Sequence, residues 1–473
     1  IMESATKTVF ETPELRSRIS HFITSRDALA CVRVCKNWVN DFTSPIWFTH
    51  FDTHKRLARL DRSIITKHGH RVRIVKNMKD THQIDVVQNP SINGLTSLMA
   101  TINKTPCYQA HCFDILRRNA STLKDVEISK SRQNIITELF FPIDVLSLGL
   151  SGNLVSKLSS LKFRGFTITR ATLLSLIVAS PLLKILDLTN TTISPSLVTN
   201  VFQHQGLVLL VASTTQIFQT NTEAPNAPSL FAHFPNLVQW RVWNEPNAPL
   251  AVPVKEIKAE MKRCCRLLGS LFAETSGPIA VELVANGFNS LYRICVLQDQ
   301  LSPQLILAVL YHQEHLMEIC TFAPSEDWDE KEDVPEIAQN QAPGWAIQQI
   351  PQRCRHLYNL QLPFQEMDMD DGGMANWSCR FLSVLHIRIR GLDTKEKIKR
   401  AIQLWEEKKR KKKEKDREKP ADGSDDQYSG DDYDYDYSTF STLSENLSIE
   451  ERVANHLFRH KSLREVWLGV KIR

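Results

Sequence analysis

The sequence predicts an α/β chain: a small N-terminal unit of three short helices followed by a curved solenoid of strand–turn–helix units. Two observations predict it. Between residues 8 and 52, apolar residues recur at helical spacing and are interrupted by capping and breaking residues. From residue 111 onward one apolar pattern, Leu-x-x-Leu-x-Leu, keeps returning at a near-constant interval. A third observation, a block of charge at 406–444, marks where the array is interrupted.

The N-terminal unit comes first. Thr12 is a good N-cap, and Pro13 follows at the first helical position, where a missing N–H costs nothing. Leu15, Ile19, Phe22 and Ile23 make one apolar stripe. Ser25 caps a second helix with Ala28, Leu29 and Val32 on one side and Cys31, Val34, Cys35 and Trp38 on another. Ser44-Pro45 restarts a third helix with Ile46, Trp47 and Phe48 inside it. A unit this small buries little surface by itself, and its second helix is apolar on two sides. The surplus face needs a second surface, either the rest of the chain or a partner.

These residues resemble a known family. The order Pro13-Glu14-Leu15, Ile19, Phe22-Ile23, Ala28-Leu29, Val34-Cys35, Trp38, Pro45 and Trp47 is similar to an F-box in the form common in fungal F-box proteins. Val34-Cys35-Lys36-Asn37-Trp38 matches best, while Thr12 stands where the family usually has a leading Leu and Arg26-Asp27 opens the second helix. The resemblance implies docking on a Skp-type adaptor that links the chain to a cullin-RING ubiquitin ligase. It places the adaptor contact, or its supporting core, on Pro13, Leu15, Ile19, Ile23, Leu29, Val34, Cys35 and Trp38.

Residues 53–110 read as an irregular linker and first repeat, with an alternating strand at Arg71-Val72-Arg73-Ile74-Val75 and a turn at Asn93-Gly94. Residues 111–405 carry the repeats. Leu123-x-x-Val126-x-Ile128 is an early copy, followed by copies starting at Leu158, Leu183, Leu207, Leu237, Leu291, Leu316, Leu357 and Leu382; Leu463-x-x-Val466-x-Leu468 falls in a terminal repeat at 445–473. The interval is that of leucine-rich repeats. Short apolar helices lie between copies, at Arg170 to Ser180, Pro195 to His204 and Pro303 to Tyr311. Where regular repeats carry Asn or Cys after the strand, this chain has Phe166, Thr191, Thr215 or Asp299, so a degenerate solenoid without a buried amide ladder is expected. Residues 244–290 and 322–356 interrupt the phase, and the first could hold one divergent repeat around Cys264-Cys265-Arg266-Leu267-Leu268. Three helices followed by such repeats resemble the F-box/leucine-rich-repeat substrate receptors of SCF-type ubiquitin ligases.

The charged block at 406–444 does not belong to the array. Glu406 to Lys419 is basic-rich and could extend the helix begun by Ile398, Ile402 and Leu404, Pro420 to Ser438 is acidic and unable to bury a core, and a charged disordered insertion is expected over 406–444. Lys408 to Lys413 could serve as a nuclear localisation signal, or as the seat of an RNA- or chromatin-associated function.

Composition narrows the function. A hydrophobic fraction of 42%, a charged fraction of 23% and a net charge of +5 are those of a globular chain with no call for nucleic acid or membrane as a partner. No run is long and apolar enough for a transmembrane helix, and Glu3, Lys7 and Glu11 make the start too polar for a secretory signal. Ile1-Met2 suggests a natural start at Met2, or a fragment. The ten cysteines, with Cys31, Cys35, Cys295 and Cys320 among apolar residues, read as reduced thiols in the cytoplasm or nucleus.

No catalytic constellation stands out, so the chain is not expected to be an enzyme or to bind a cofactor. It lacks a P-loop, a G-x-G-x-x-G, a G-x-S-x-G and an H-E-x-x-H. His312 and His315 could ligate a metal, but no third ligand accompanies them and they read as a surface pair. The repeats supply another kind of site. In each copy the residues flanking the last two apolar positions point away from the core. Arg241, Trp243, Arg293, Gln361, His386 and Arg388 therefore line an outward row that would bind a target protein, and its basic character favours an acidic or phosphorylated segment. The expectation is an SCF substrate-recognition adaptor. The alternative is a leucine-rich-repeat interaction scaffold without ligase association.

Overall fold

The protein is described from a computed structural model. It covers residues 12–20, 25–34, 38–39, 42, 51–52, 63, 66–67, 69–78, 89–102, 106–130, 156–194, 202–218, 228–243, 250–275, 277–297, 301–322, 342–368, 377–418 and 447–468.

The architecture corrects the expectation of a three-helix F-box followed by a leucine-rich-repeat solenoid. Among the described residues the chain forms a large α/β structure, a parallel sheet of fourteen strands with helices between them. The physical reason lies in the strands. Each apolar copy places its backbone directly beside that of the preceding copy, so the ladder hydrogen bonds run from one copy to the next. At the N-terminus only α1 (Pro13–Ser20) and α2 (Ser25–Val32) are described as helices of eight residues each; the expected third helix after Ser44-Pro45 lies outside the described residues.

The chain divides into two compact units, Ile1–Val238 with Arg263–Leu267, and Gln239–Lys262 with Leu268–Arg473. In the first, β1 (Phe51–Asp52), β2 (Ile74–Met78), β3 (Ser97–Ile102), β4 (Asp125–Lys130), β5 (Ser160–Arg164), β7 (Ile185–Asp187) and β9 (Leu209–Val211) follow one another in the sheet. A small separate pair, β6 (Thr167–Thr169) with β8 (Thr192–Ser194), lies outside that order. Helix α3 (Pro106–Asn119) precedes β4 and α4 (Arg170–Val178) follows β6. Leu158, Leu161, Phe163, Leu183, Leu186, Leu188, Leu207, Leu210 and Ala212 are all buried, the leucines of successive copies stacking behind the strands. Burying a leucine stabilises by about 2 kcal/mol, which offsets the ordering of strands too short to persist alone.

Buried polar side chains tie each turn of this unit to the one before it. Asn119 accepts from the Leu95 N–H at 3.0 Å and donates to the Ile115 carbonyl at 2.9 Å. His204 Nε2 donates to the Ser180 carbonyl at 2.9 Å. Thr191 Oγ1 donates to the Phe163 carbonyl at 2.8 Å, and the Gln216 amide donates to the carbonyls of Leu188 and Thr191. The expected absence of a buried side-chain ladder is thus corrected in part: Thr191 and Gln216 supply links where Asn or Cys was missing. Buried backbone carbonyls left without such donors would cost about 1–3 kcal/mol each.

In the second unit β10 (Gln239–Trp243), β11 (Ser270–Glu274), β12 (Arg293–Leu297), β13 (Glu318–Phe322), β14 (Asn359–Met367), β15 (Val384–Ile389) and β16 (Glu465–Leu468) pair in parallel in chain order. Helices between or before them include α5 (Thr214–Phe218), in the first unit, then α6 (Val254–Cys264), α7 (Gly277–Glu282), α8 (Pro303–Leu310), α9 (Gly344–Arg353), α10 (Lys395–Glu418) and α11 (Ile449–Arg459). Ser302 caps α8 by accepting from the Leu305 N–H at 3.2 Å, with Pro303 in the first turn. Ser448 and Glu451 form a capping box on α11. Trp240 is fully buried and lies 6.4 Å from the Phe288 ring.

At the start of the charged block the chain takes the helical alternative. Residues 406–418 continue α10, which packs on α11: Lys408 Nζ bonds the Asn455 side chain, Lys409 Nζ donates to the Leu463 carbonyl at 3.0 Å, and Lys412 sits over the Phe458 ring. The apolar stems of these lysines cover the partner helix while their charges reach its polar groups. Residues 419–446 lie outside the described residues. Among the described residues no helix is long and apolar enough to cross a membrane.

Candidate partner-binding face

In the second unit, alternate residues of each strand share one face of the sheet, on which Ser270, Cys295, Glu318 and Asn359 are themselves buried. Register sets them in rows across the sheet. The first row runs Gln239, Ser270, Arg293, Glu318, Asn359, Val384, Glu465. The second runs Arg241, Phe272, Cys295, Cys320, Gln361, His386, Trp467. Beyond it Trp243 stands opposite Glu274, Leu297 opposite Phe322, and Arg388 opposite Glu366. All six residues expected to bind a target lie on this face, with Arg241, Gln361 and His386 in one row.

The face differs from the bare basic row expected from the sequence, because its cations meet carboxylates on neighbouring strands. Arg241 pairs with Glu274, Arg293 Nε lies 3.1 Å from Glu318, and His386 Nε2 lies 2.8 Å from Glu465. Burial holds the Arg388 guanidinium below the usual arginine range, against the opposing pull of Glu366. Glu318 is the most enclosed of the carboxylates: it takes Arg293, the Tyr358 hydroxyl at 3.2 Å and the Asn359 amide at 3.0 Å. Burial, then the Glu318 charge, pushes the Tyr358 phenol up. Charge on the face is therefore locally compensated.

Aromatic rings provide the second component. Phe272 on β11 and Phe322 on β13 approach to 6.3 Å between centroids, leaning toward each other across β12. Arg293 lies 5.0 Å from the Phe272 ring and Arg241 5.8 Å from the Phe322 ring. Trp467 is 6.1 Å from His386. Half-buried aromatic rings flanked by oriented guanidinium groups are the side chains that carry interface energy. Sequence reasoning set a divergent repeat around Cys264 to Leu268 but missed its outward Phe272 and Glu274, although Leu268-x-x-Leu271-x-Ala273 repeats the spacing of Leu207-x-x-Leu210-x-Ala212.

Cys295 and Cys320, expected to be reduced, are joined by a disulfide between directly opposed positions of β12 and β13. His312 also departs from its expectation as half of a surface pair. It is buried, its Nδ1 accepts from the Leu291 N–H at 3.2 Å, and its Nε2 donates to the Val284 carbonyl at 2.6 Å. Burial holds it below the usual imidazole range, so it stays neutral and fastens the turn before β12. Among the described residues no three His, Cys, Asp or Glu side chains gather as metal ligands.

The residues expected to carry an adaptor contact lie at the N-terminus. Pro13 is exposed, Leu15 is 39% exposed, Ile19 is half-buried and Val34 is 63% exposed. Trp38 is half-buried with its ring 5.2 Å from that of the buried Phe42. Leu29 lies on α2, but its side chain is outside the described residues, as are Ile23 and Cys35 altogether. No protein-family model matches the chain, and no curated protein matches it.

Proposed function

We propose that this chain is a non-enzymatic adaptor that captures a partner protein on the open sheet face of its second unit and presents it to a cullin-RING ubiquitin ligase. The observation that carries the capture reading is the set of half-buried aromatic rings and cross-strand ion pairs around Arg241, Phe272, Arg293 and Phe322. Such a surface offers flat apolar anchors with polar groups already oriented, which suits a folded protein or an extended segment better than a small molecule. The ligase link rests on the F-box resemblance, supported by the exposure of Leu15 and Val34 within one short segment. A Skp-type adaptor would cover these side chains. Catalysis would then be by proximity, with this chain raising the local concentration of target lysines and performing no bond chemistry.

A second reading is an interaction scaffold without ligase association. It is favoured by the placing of Arg241, Phe272, Arg293 and Phe322 all in the second unit, which does not include the N-terminal helices. One experiment separates the two. Wild type and a Leu15→Asp, Val34→Asp variant are purified from cells and assayed for a co-purifying Skp-type adaptor. The adaptor reading expects stoichiometric adaptor with the wild type and loss with the variant. Absence of adaptor from the wild type leaves the scaffold reading standing.

A further inference from the structure

The open face holds a covalent link at its centre. Cys295 and Cys320 occupy the second row between Phe272 on one side and Gln361 on the other. The first-row neighbours are the Arg293–Glu318 ion pair, and the rung on the other side is Leu297 opposite Phe322. The two sulfurs do not share one environment. Cys295 is fully buried, whereas Cys320 is half-buried. The cause is visible in the neighbouring side chains. Strands β11 and β13 flank β12 at about 10 Å from each other, yet the Phe272 and Phe322 rings they carry come within 6.3 Å, closing over β12. The Arg293 guanidinium, 5.0 Å from the Phe272 ring, completes the cover on Cys295. Cys320 has the half-buried Gln361 across the next rung, with Glu318 and Phe322 two residues away on its own strand.

We propose that this cystine is a thiol-exchange site for a low-molecular-weight thiol such as glutathione, with Cys320 the sulfur attacked and Cys295 the leaving sulfur. Exchange needs the incoming thiolate in line with the S–S bond, opposite the sulfur that departs. Across the next rung from the more exposed Cys320 stands the half-buried Gln361. Across the next rung from the fully buried Cys295 stands Phe272. The step balances. The thiolate forms a new S–S bond to Cys320 Sγ, the Cys320–Cys295 bond breaks, and Cys295 leaves as thiolate and takes a proton. A second thiol then attacks the mixed disulfide, releasing the oxidised small-molecule disulfide and the Cys320 thiol. Two electrons pass from two small thiols to the protein, and the reverse sequence restores the cystine. The mixed disulfide would plant a polar adduct in the middle of the row formed by Phe272, Gln361 and His386. The exchange itself needs nothing of the capture reading and is measured without any partner.

The test uses the oxidised full-length chain with its free thiols blocked beforehand. It is incubated with reduced glutathione, quenched with acid, alkylated and mapped by peptide mass spectrometry. The expected result is glutathione on the Cys320 peptide at about ten-fold or more over the Cys295 peptide, with Cys295 recovered as an alkylated thiol. Cys295→Ser incubated with glutathione disulfide should accumulate a stable Cys320 adduct. Phe272→Ala, which opens the cover, should bring the two cysteines toward equal labelling. The proposal is overturned by equal or preferential labelling of Cys295 in the wild type, or by a crosslink that glutathione leaves intact until the protein unfolds. If a variant fails to fold, the wild-type map alone decides.

Discussion

Lowering the pH should destabilise the second unit through His460. This histidine follows α11 and sits in an aromatic cluster, its ring 5.1 Å from Trp377 and 5.2 Å from His456. Burial, then the neighbouring Arg459 charge, pushes its pKa down to about 4, against a hydrogen bond to the Cys379 backbone that pulls it up. The folded state therefore refuses a proton that the unfolded chain accepts at an ordinary value of about 6.5. With more protons bound to the unfolded state, stability rises with pH across that window. The contribution is flat above pH 6.5 and falls as pH drops from 6.5 toward 4. About 2.5 pKa units at 1.36 kcal/mol each amounts to roughly 3 kcal/mol lost over the full window. Buried His233 and His312 shift in the same direction, so the assay must isolate His460. Wild type and His460→Gln are unfolded in urea at a series of pH values between 7.5 and 4.5, followed by tryptophan fluorescence. The glutamine amide can still donate to the Cys379 carbonyl but cannot titrate. The difference in unfolding free energy between the two proteins should shift by about 2–3 kcal/mol in favour of the variant as pH falls. A difference that stays constant with pH would refute the reasoning.

The other predictions concern packing, crosslinking and the open face. Trp240→Ala removes a fully buried ring packed on Phe288 and should cost about 3–5 kcal/mol in urea unfolding. Reducing the Cys295–Cys320 bond, which spans 25 residues, should lower stability by up to about 3.5 kcal/mol through regained chain entropy, read as the urea midpoint with and without dithiothreitol. Glu318→Ala strips Arg293, Tyr358 and Asn359 of a shared acceptor and should cost about 2–3 kcal/mol, while Glu318→Gln, which keeps acceptor capacity for Tyr358, should cost less. Changing Arg241, Trp243 and Arg388 together to Ala should abolish capture of bound proteins in quantitative pull-down yet leave the melting temperature within a few degrees of wild type. A triple variant that keeps its partners would move recognition off this face.

Much of the strand content was legible in the sequence. Leu183-x-x-Leu186-x-Leu188 and its relatives announce a short strand with apolar residues on one side, because burial on one face demands a two-residue alternation. The divergent repeat around Cys264 to Leu268 was seen without its register, because its last position is Ala273 and a Cys264-Cys265 pair obscures its start. Residues 406–418 stood open between a helix extension and part of the insertion, because composition alone says only polar segment. The helix exists because the lysine stems have α11 to lie on. His312 was misread because a histidine's role depends on what surrounds it, and the carbonyl of Val284 and the N–H of Leu291 lie 28 and 21 residues away in the chain.

The sequence by itself determined which residues of each copy face the core and which face outward, since that follows from local alternation and needs no neighbour. It also determined that Arg241, Trp243, Arg293, Gln361, His386 and Arg388 would occupy outward positions. Only the tertiary structure decided what stands beside them. Parallel pairing brings Arg241 to Glu274, Arg293 to Glu318 and Cys295 to Cys320, turning a row of cations into compensated pairs around a covalent rung. It also decided that the copies join one fourteen-stranded sheet. The reason is that alternation is a property of one strand, whereas pairing, charge compensation and crosslinking belong to the register between strands, and register is set by the sheet as a whole.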